Sequence, residues 1–482
     1  MKKILFAAAE GAPFYKTGGL GDVMYALPKA LAGKSDLDIR VVLPYYASLM
    51  PEQYQKQLKD VTNFEIKVGQ NSRYVGIKSL QLGQVLYYFI DNLEYFGRDG
   101  LYGYGDDGER FGFYQMALIE MLEKVDFIPD VLHINDWHTA FIPVLLQDKY
   151  SWLAPLRNIK TILTIHNIKF QGVYDPIILD SIFGIGRQYF NEQGFKYYDA
   201  VNFMKGGIEF ADKVTTVSPS YAAEIQTPEF GEGLDGILRE NSYKLTGFLN
   251  GIDTELYDPQ TDKNIAINYS IQDFDKQKAK NKVQLQKELN LPQEDVPLLI
   301  LISRLTRQKG LDIFLAMLDD FLVLHHVQIA LLGTGDSDLE NDFKWMQERY
   351  PAQFSANIRF DEKLAQQMYA AGDLILVPSA FEPCGLSQMM GMRYGAVPVV
   401  HETGGLRDTV PPYNEYTNEG LGFSFASFDA QTLNQVLSYA YDIFTQKPAA
   451  FKQIVERDMR ADFSWKKSAE LYLGMYRELW QN

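Results

Sequence analysis

The sequence predicts an α/β protein made of two doubly wound halves, and three observations carry that expectation. Short apolar runs alternate with longer amphipathic stretches from end to end. The runs are rich in Val, Ile and Leu and do not alternate with polar residues, as parallel strands buried on both faces require. The chain has 482 residues, more than one compact core holds, so two domains of roughly 200–250 residues are the natural division.

Taken in order, the first half offers strands at Ile4–Ala9, Ile39–Leu43, Val85–Ile90, Val131–Ile134, Thr161–Ile165 and Val214–Val217, with helical stretches such as Phe111–Glu123 and Trp137–Gln147 between them. The second half repeats the pattern at Leu298–Ser303, Val327–Leu332, Asn357–Phe360, Leu374–Val377 and Val397–Val400. A break lies between Gly251 and Pro297, where Asp258-Pro259, the polar run Asp262–Lys282 and Leu291-Pro292 interrupt the alternation; the hinge is expected near Thr246–Asp253. The last stretch, Ser464–Trp480, reads as an amphipathic helix with Ser464 as N-cap and Trp465, Ala469, Tyr472 and Tyr476 on one face. The expected domains are therefore residues 1–248, 249–463 and a terminal helix over 464–482. Two such sheets predict a ligand cleft at the carboxyl ends of their strands.

Composition narrows the function classes. Apolar residues make up 46% and charged residues 22%, and the formal charge is −16. That acidity disfavours nucleic acid and anionic membranes as partners. The single Cys384 excludes an internal disulfide and fits a reducing compartment. No apolar run approaches the ~20 residues of a membrane span. Met1-Lys2-Lys3 leads straight into a strand pattern rather than a secretory segment, so a cytoplasmic protein is expected.

The polar residues of special chemistry gather at strand ends. Lys16-Thr-Gly-Gly-Leu-Gly-Asp22 follows the first strand and opens a helix. Unpaired amides, a positive dipole end and glycines that admit close approach make such a start a receiver for an anion. It is not a P-loop, because the lysine precedes the glycines. The plainer alternative is a glycine-rich turn with a surface lysine. Arg304, Arg307 and Lys309 place three cations within six residues of an acidic chain, resembling a clamp for a multiply charged oxyanion; the alternative is a solvated basic helix start. Gly404-Gly405 supplies a second glycine-rich helix start. His133 and His138 lack metal-ligand spacing, and the triplets Asp36–Asp38, Asp273–Asp275 and Asp336–Asp338 read as turn and linker composition. The loop 91–108, rich in Tyr, Gly and Asp, suits sugar rings or simply packs its tyrosines against the core.

Seven ordered motifs now resemble one family: Lys16-Thr-Gly-Gly-Leu, Asp136-Trp-His-Thr, Thr164-Ile-His166-Asn167, Asn250-Gly-Ile-Asp253, Ser303-Arg304-Leu-Thr with Gln308-Lys309-Gly310, Phe381-Glu382-Pro-Cys-Gly-Leu and Thr403-Gly-Gly-Leu. Together they resemble bacterial glycogen synthases and plant starch synthases over nearly the whole chain. The resemblance implies a GT-B fold, with two Rossmann-like domains facing across a cleft and the last helix crossing back to the first. It implies transfer of glucose from ADP-glucose to the non-reducing end of an α-1,4-glucan with retention, and no cofactor or metal. By position, Lys16 and Gly18-Gly19 should face the diphosphate and the reacting glucose. Arg304 and Lys309 should neutralise the departing ADP. Glu382 should hold donor hydroxyls, His166 should contact the sugar, and Asp136 should bind sugar hydroxyls or the acceptor. Thr403, Gly404 and Gly405 should present amides to the phosphates, and Phe360 should stack on adenine where a Tyr is common. Substrate contacts are also implied for Asp22, Tyr95, Asn167, Asn250, Cys384, Gly385 and Leu386.

The chain departs from the family pattern at His401-Glu402, where many relatives have Arg, and at Leu93 and Ser387. Two other readings stand beside the resemblance: a different GT-B enzyme, or a glucan-binding protein without activity. Oligomeric state is not legible.

Overall fold

The computed structural model describes residues 1–34 and 36–481. They form two compact units, Met1–Asn250 with the C-terminal segment from Trp465, and Gly251–Ser464. Asn482, the end of the expected terminal segment, lies outside the described residues.

The first unit is built on strands Lys2–Ala7 (β1), Leu37–Pro44 (β2), Lys59–Val68 (β3), Asn71–Leu82 (β4), Val85–Asp91 (β5), Val131–Asn135 (β6) and Lys160–Ile165 (β7). Val173–Tyr174 (β8), Lys196–Tyr197 (β9) and Ala200–Asn202 (β10) make a small separate sheet in the order β8-β10-β9. Lys213–Thr216 (β11) and Leu245–Gly247 (β12) complete the main sheet, whose order is β12-β11-β7-β6-β1-β2-β5-β4-β3. Ile4, Leu5, Phe6 and Ala7 are all fully buried, as a central parallel strand must be. The expectation of a purely parallel sheet is corrected at one edge, where β3 and β4 pair antiparallel and β4 pairs antiparallel with β5. In β3 (KDVTNFEIKV) only Ile66 and Val68 are buried, so this edge strand is largely solvated and carries no continuous apolar run.

The second unit holds Leu298–Ile302 (β13), Gln328–Leu332 (β14), Phe354–Asn357 (β15), Leu374–Val377 (β16), Val397–His401 (β17) and Phe423–Phe425 (β18), in the order β15-β14-β13-β16-β17-β18. Every pairing is parallel. The strand expected at Asn357–Phe360 lies earlier, ending at Asn357, because Asp361 caps the next helix by accepting from the Leu364 amide. The expected helix Trp137–Gln147 is broken into a 3-10 turn, Trp137–Thr139, and a short helix, Ile142–Gln147.

The last helix, Trp465–Gln481, belongs to the first unit. Trp465, Ala469, Tyr472 and Tyr476 are all buried, so the apolar face read from the sequence is the packed one. Its anchor is polar: His133 Nδ1 and the Tyr476 hydroxyl lie 2.7 Å apart, and His133 Nε2 lies 2.6 Å from Thr164 Oγ1.

Candidate active site

Both sheets reverse winding direction at their centre. In the first, the chain runs β1, β2, β5 one way and β6, β7, β11 the other; in the second, β13, β14, β15 one way and β16, β17, β18 the other. At such a switch point the loops leaving the two central strands diverge and open a crevice at their carboxyl ends. The segments after β1 and β6 contain Lys16, Gly18, Gly19, Asp22 and Asp136, and those after β13 and β16 contain Arg304, Lys309, Glu382, Cys384, Gly385 and Leu386.

In the first unit, Lys16 does not stand as a bare charge, because its Nζ donates to Asp22 Oδ1 at 2.7 Å. Three amides of the glycine-rich turn, those of Thr17, Gly18 and Gly21, are not open either. Glu10, buried just beyond β1, accepts from the Thr17 amide (3.0 Å) and hydroxyl (2.7 Å), the Gly18 amide (3.3 Å) and the Gly21 amide (3.1 Å). The Tyr102 hydroxyl donates to the same carboxylate at 3.0 Å. The expected anion receiver thus already contains the protein's own carboxylate, a residue that sequence reading missed. Its only sequence signal is an acidic side chain at a strand end just before a glycine-rich turn. Gly18 and Gly19 remain distinctive, since a Cβ at either would meet no atom within 4 Å. Gly18 also has an extended φ of −166°, so neither packing nor backbone conformation requires glycine there.

Asp136 follows β6 with φ 56° and ψ −177°, a sparsely populated conformation that costs about 1–3 kcal/mol and marks functional sites. Its Oδ1 accepts the His166 amide at 2.8 Å. Burial pushes the carboxyl up to about 7, with the nearby Glu10 charge adding in the same direction. His166, at the end of β7, is held neutral, its pKa lowered to about 3 by burial. Asn135 Nδ2 donates to the Ala7 and His133 carbonyls, which leaves Asn135 Oδ1 as an acceptor. His166 therefore donates from Nε2 (2.8 Å) and carries a bare, accepting Nδ1. Asn167 Oδ1 accepts the Lys169 amide. Asn250 is buried with an Oδ1 that has no partner among the described residues, an orphaned acceptor. Tyr95 is the exception among the candidates: its ring is 2% exposed and its hydroxyl is taken by Glu109 and Arg73, so it offers no open face.

In the second unit, Lys309 Nζ donates to Glu382 Oε2 at 2.6 Å, and Ser379 Oγ donates to the same oxygen at 2.8 Å. The loops carrying them touch through the Ala380 amide and the Gln308 carbonyl, 2.9 Å apart. Gly310, at φ 70°, makes this possible, because a Cβ there would lie 2.0 Å from the Pro378 carbonyl oxygen. Arg304 is exposed and has no ion-pair partner among the described residues. Of the three cations expected to form a clamp, Arg307 pairs with Asp338 at 2.8 Å, well out in solvent. Thr403 is the N-cap of Gly404–Thr409, but the Gly405 amide donates to the Glu382 carbonyl at 3.1 Å, so that amide is spent on the protein. The glycines are needed because Cβ atoms at 404 and 405 would lie 1.9 and 2.0 Å from the Glu382 and Cys384 carbonyl oxygens. Buried Gln388, also missed, donates from Nε2 to the Cys384 and Gly385 carbonyls and shapes the turn through Leu386. His401 is tied to the Ser379 carbonyl at 2.8 Å. Phe360 is 81% exposed. Among the described residues no group of three or more His, Cys, Asp or Glu is placed to hold a metal ion, and no helix is long and apolar enough to cross a membrane.

Comparison with known proteins shows which family carries these residues. A starch synthase catalytic domain model matches residues 3–240 and a group 1 glycosyl transferase model matches 296–440. A glycogen synthase from Lactiplantibacillus plantarum is 56% identical over 99% of this chain and 100% of its own, and one from Streptococcus mutans is 51% identical over 99% and 100%. The chain belongs to the glycogen synthase and starch synthase family. It is a glycosyltransferase, and the family resemblance of its motifs holds along the full length. The catalytic domain of starch synthase IV from Arabidopsis thaliana, bound to ADP and acarbose, is similar at 33% identity with a TM-score of 0.92, covering 100% of this chain and 99% of that one. A sucrose-phosphate synthase from Thermosynechococcus elongatus, 17% identical with a TM-score of 0.62 over the full length of both chains, shares the fold alone. The architecture is that of GT-B glycosyltransferases, two Rossmann-like α/β units.

Proposed function

We propose that this glycogen synthase family member transfers glucose from ADP-glucose to the non-reducing end of an α-1,4-glucan such as glycogen, with retention at the anomeric carbon. The observation that carries the reading is the Lys309–Glu382 pair at the switch point of the second sheet. It sets a cation with spare donors beside a carboxylate, as a departing diphosphate and a hydroxyl-rich sugar require. The binding of ADP and acarbose by starch synthase IV supports the same donor and acceptor classes.

In this reading Arg304 and Lys309 stabilise the negative charge that grows on the leaving ADP. Glu382 accepts hydrogen bonds from the donor sugar, and His166 Nδ1, bare and neutral, accepts from another of its hydroxyls. Asp136, holding its proton up to about pH 7, can donate as well as accept. The open space beside Gly18 and Gly19 lets substrate lie against the backbone, with Lys16 at its edge. The C1–O bond to the phosphate breaks with its electron pair going to ADP. The acceptor hydroxyl forms its bond to C1 on the same face and gives its proton to the leaving phosphate oxygen. Neither Glu382, engaged by Lys309 and Ser379, nor Asp136, protonated near neutrality, is a free carboxylate nucleophile of the kind that double displacement needs.

The test is incorporation of radiolabelled glucose into glycogen from ADP-glucose, run beside UDP-glucose and with EDTA. EDTA-resistant incorporation from ADP-glucose supports donor, activity and a metal-free reaction together. No incorporation from either donor by folded protein rejects the reading. A covalent glucosyl adduct trapped on a side chain rejects the same-face step.

A further inference from the structure

We infer that Glu10 is a positioning residue of the transfer reaction, fixing the Lys16–Gly19 turn so that its glycine backbone meets the substrate in one geometry. The inference rests on the function proposed above. Five donors converge on this one carboxylate: the Thr17 amide and hydroxyl, the amides of Gly18 and Gly21, and the Tyr102 hydroxyl. The residue is 2% exposed, whereas Lys16, Thr17, Gly18 and Gly19 are all exposed. Within the turn itself the restraints are few: the partly exposed Lys16–Asp22 pair at its edge and the Gly21 amide on the Gly18 carbonyl at 3.2 Å, while nothing packs against Gly18 or Gly19. The buried anion supplies that restraint from below, and it uses the start of the helix Gly19–Ala32, where a negative charge is favourable.

A second consequence is electrostatic. Glu10 also faces Asp136, whose other neighbours are the Tyr102 and Tyr221 hydroxyls and the amides of His166 and Asn167. Tyr46 also lies within reach of the Glu10 charge. Glu10 is thus the one acidic side chain among these neighbours, and it links the turn after β1 to the residue after β6.

The experiment uses the full chain and the variants Glu10→Gln and Thr17→Val. The carboxamide keeps the shape but sets an NH2 group against facing donors. It is expected to lower Tm, because buried donors lose their acceptor, and in chain still folded at the assay temperature to raise KM for ADP-glucose about tenfold or more. The pH-rate limb carried by Asp136 is expected to move to lower pH, because a neighbouring negative charge has been removed. T17V removes one exposed donor without disturbing the core and should raise KM by a smaller factor. Wild-type kinetics and an unmoved pH profile in Glu10→Gln overturn the inference. If that variant does not fold, an unchanged KM in T17V overturns it. Failure of the functional reading is distinct, because the wild-type chain itself would then transfer no glucose from ADP-glucose.

Discussion

Lys309 and Glu382 stand 73 positions apart in the chain, yet their side chains meet at 2.6 Å. The side chains are only 17% and 10% exposed, so the pair is largely withdrawn from water and its geometry is held by both flanking loops. Lys309→Ala is expected to lower kcat by about 10²–10³, the loss typical of removing one preorganised electrostatic partner. Steady-state transfer from ADP-glucose reads this directly; a change confined to KM would assign Lys309 to binding alone.

The two arginines of the same loop should separate cleanly. Arg307 spends its charge on Asp338 in an exposed pair worth about 0–1 kcal/mol, so Arg307→Ala should leave Tm and turnover close to wild type. Arg304, without an ion-pair partner among the described residues, should lose most of its turnover as Arg304→Ala. Parallel kinetics on the two variants check the pair, and equal losses would restore the three-cation clamp.

Gly404 sits at φ 46°, and an added Cβ would lie 1.9 Å from the Glu382 carbonyl oxygen. Gly404→Ala must push the 382–385 turn away or distort the helix start, a strain exceeding about 1–3 kcal/mol. Thermal unfolding should show a lowered Tm, with loss of transfer activity at temperatures where the variant is still folded.

Asp136 makes a pH-dependent stability prediction. Its carboxyl holds a proton up to about pH 7 in the folded chain, against an ordinary value near 3.8. The folded state therefore binds more protons than the unfolded state in that window, and stability falls as pH rises through it, by a few kcal/mol. Asp136→Asn removes the charge and should raise Tm more at pH 8 than at pH 5, while lowering transfer. Melting curves at the two pH values decide it; an equal shift at both would show that Asp136 does not titrate between them.

Much of the fold was legible because burial leaves a periodic trace. Leu374–Val377 was bounded as observed, and the face of the terminal helix followed from the spacing of Trp465, Ala469, Tyr472 and Tyr476. The β3–β4 hairpin was not, since an edge pair with one wet face has polar residues through most of its length. The candidate site was legible as a set of residue types at strand ends. The partners that qualify them were not: Tyr95 lies buried beneath its loop, and Arg307 is drawn off by Asp338.

By itself the sequence determined that this chain has two α/β units with parallel central strands, that its special residues lie at strand ends and that it resembles the glycogen and starch synthases. Those features depend on local composition and order, which a chain carries with it unfolded. Only the tertiary structure decided that Asn135 fixes the tautomer of His166 and that Lys309 meets Glu382. Hydrogen-bond partnership depends on distance and direction between groups that the chain keeps apart, and those are set when adjacent strands bring their loops to the same edge of a sheet.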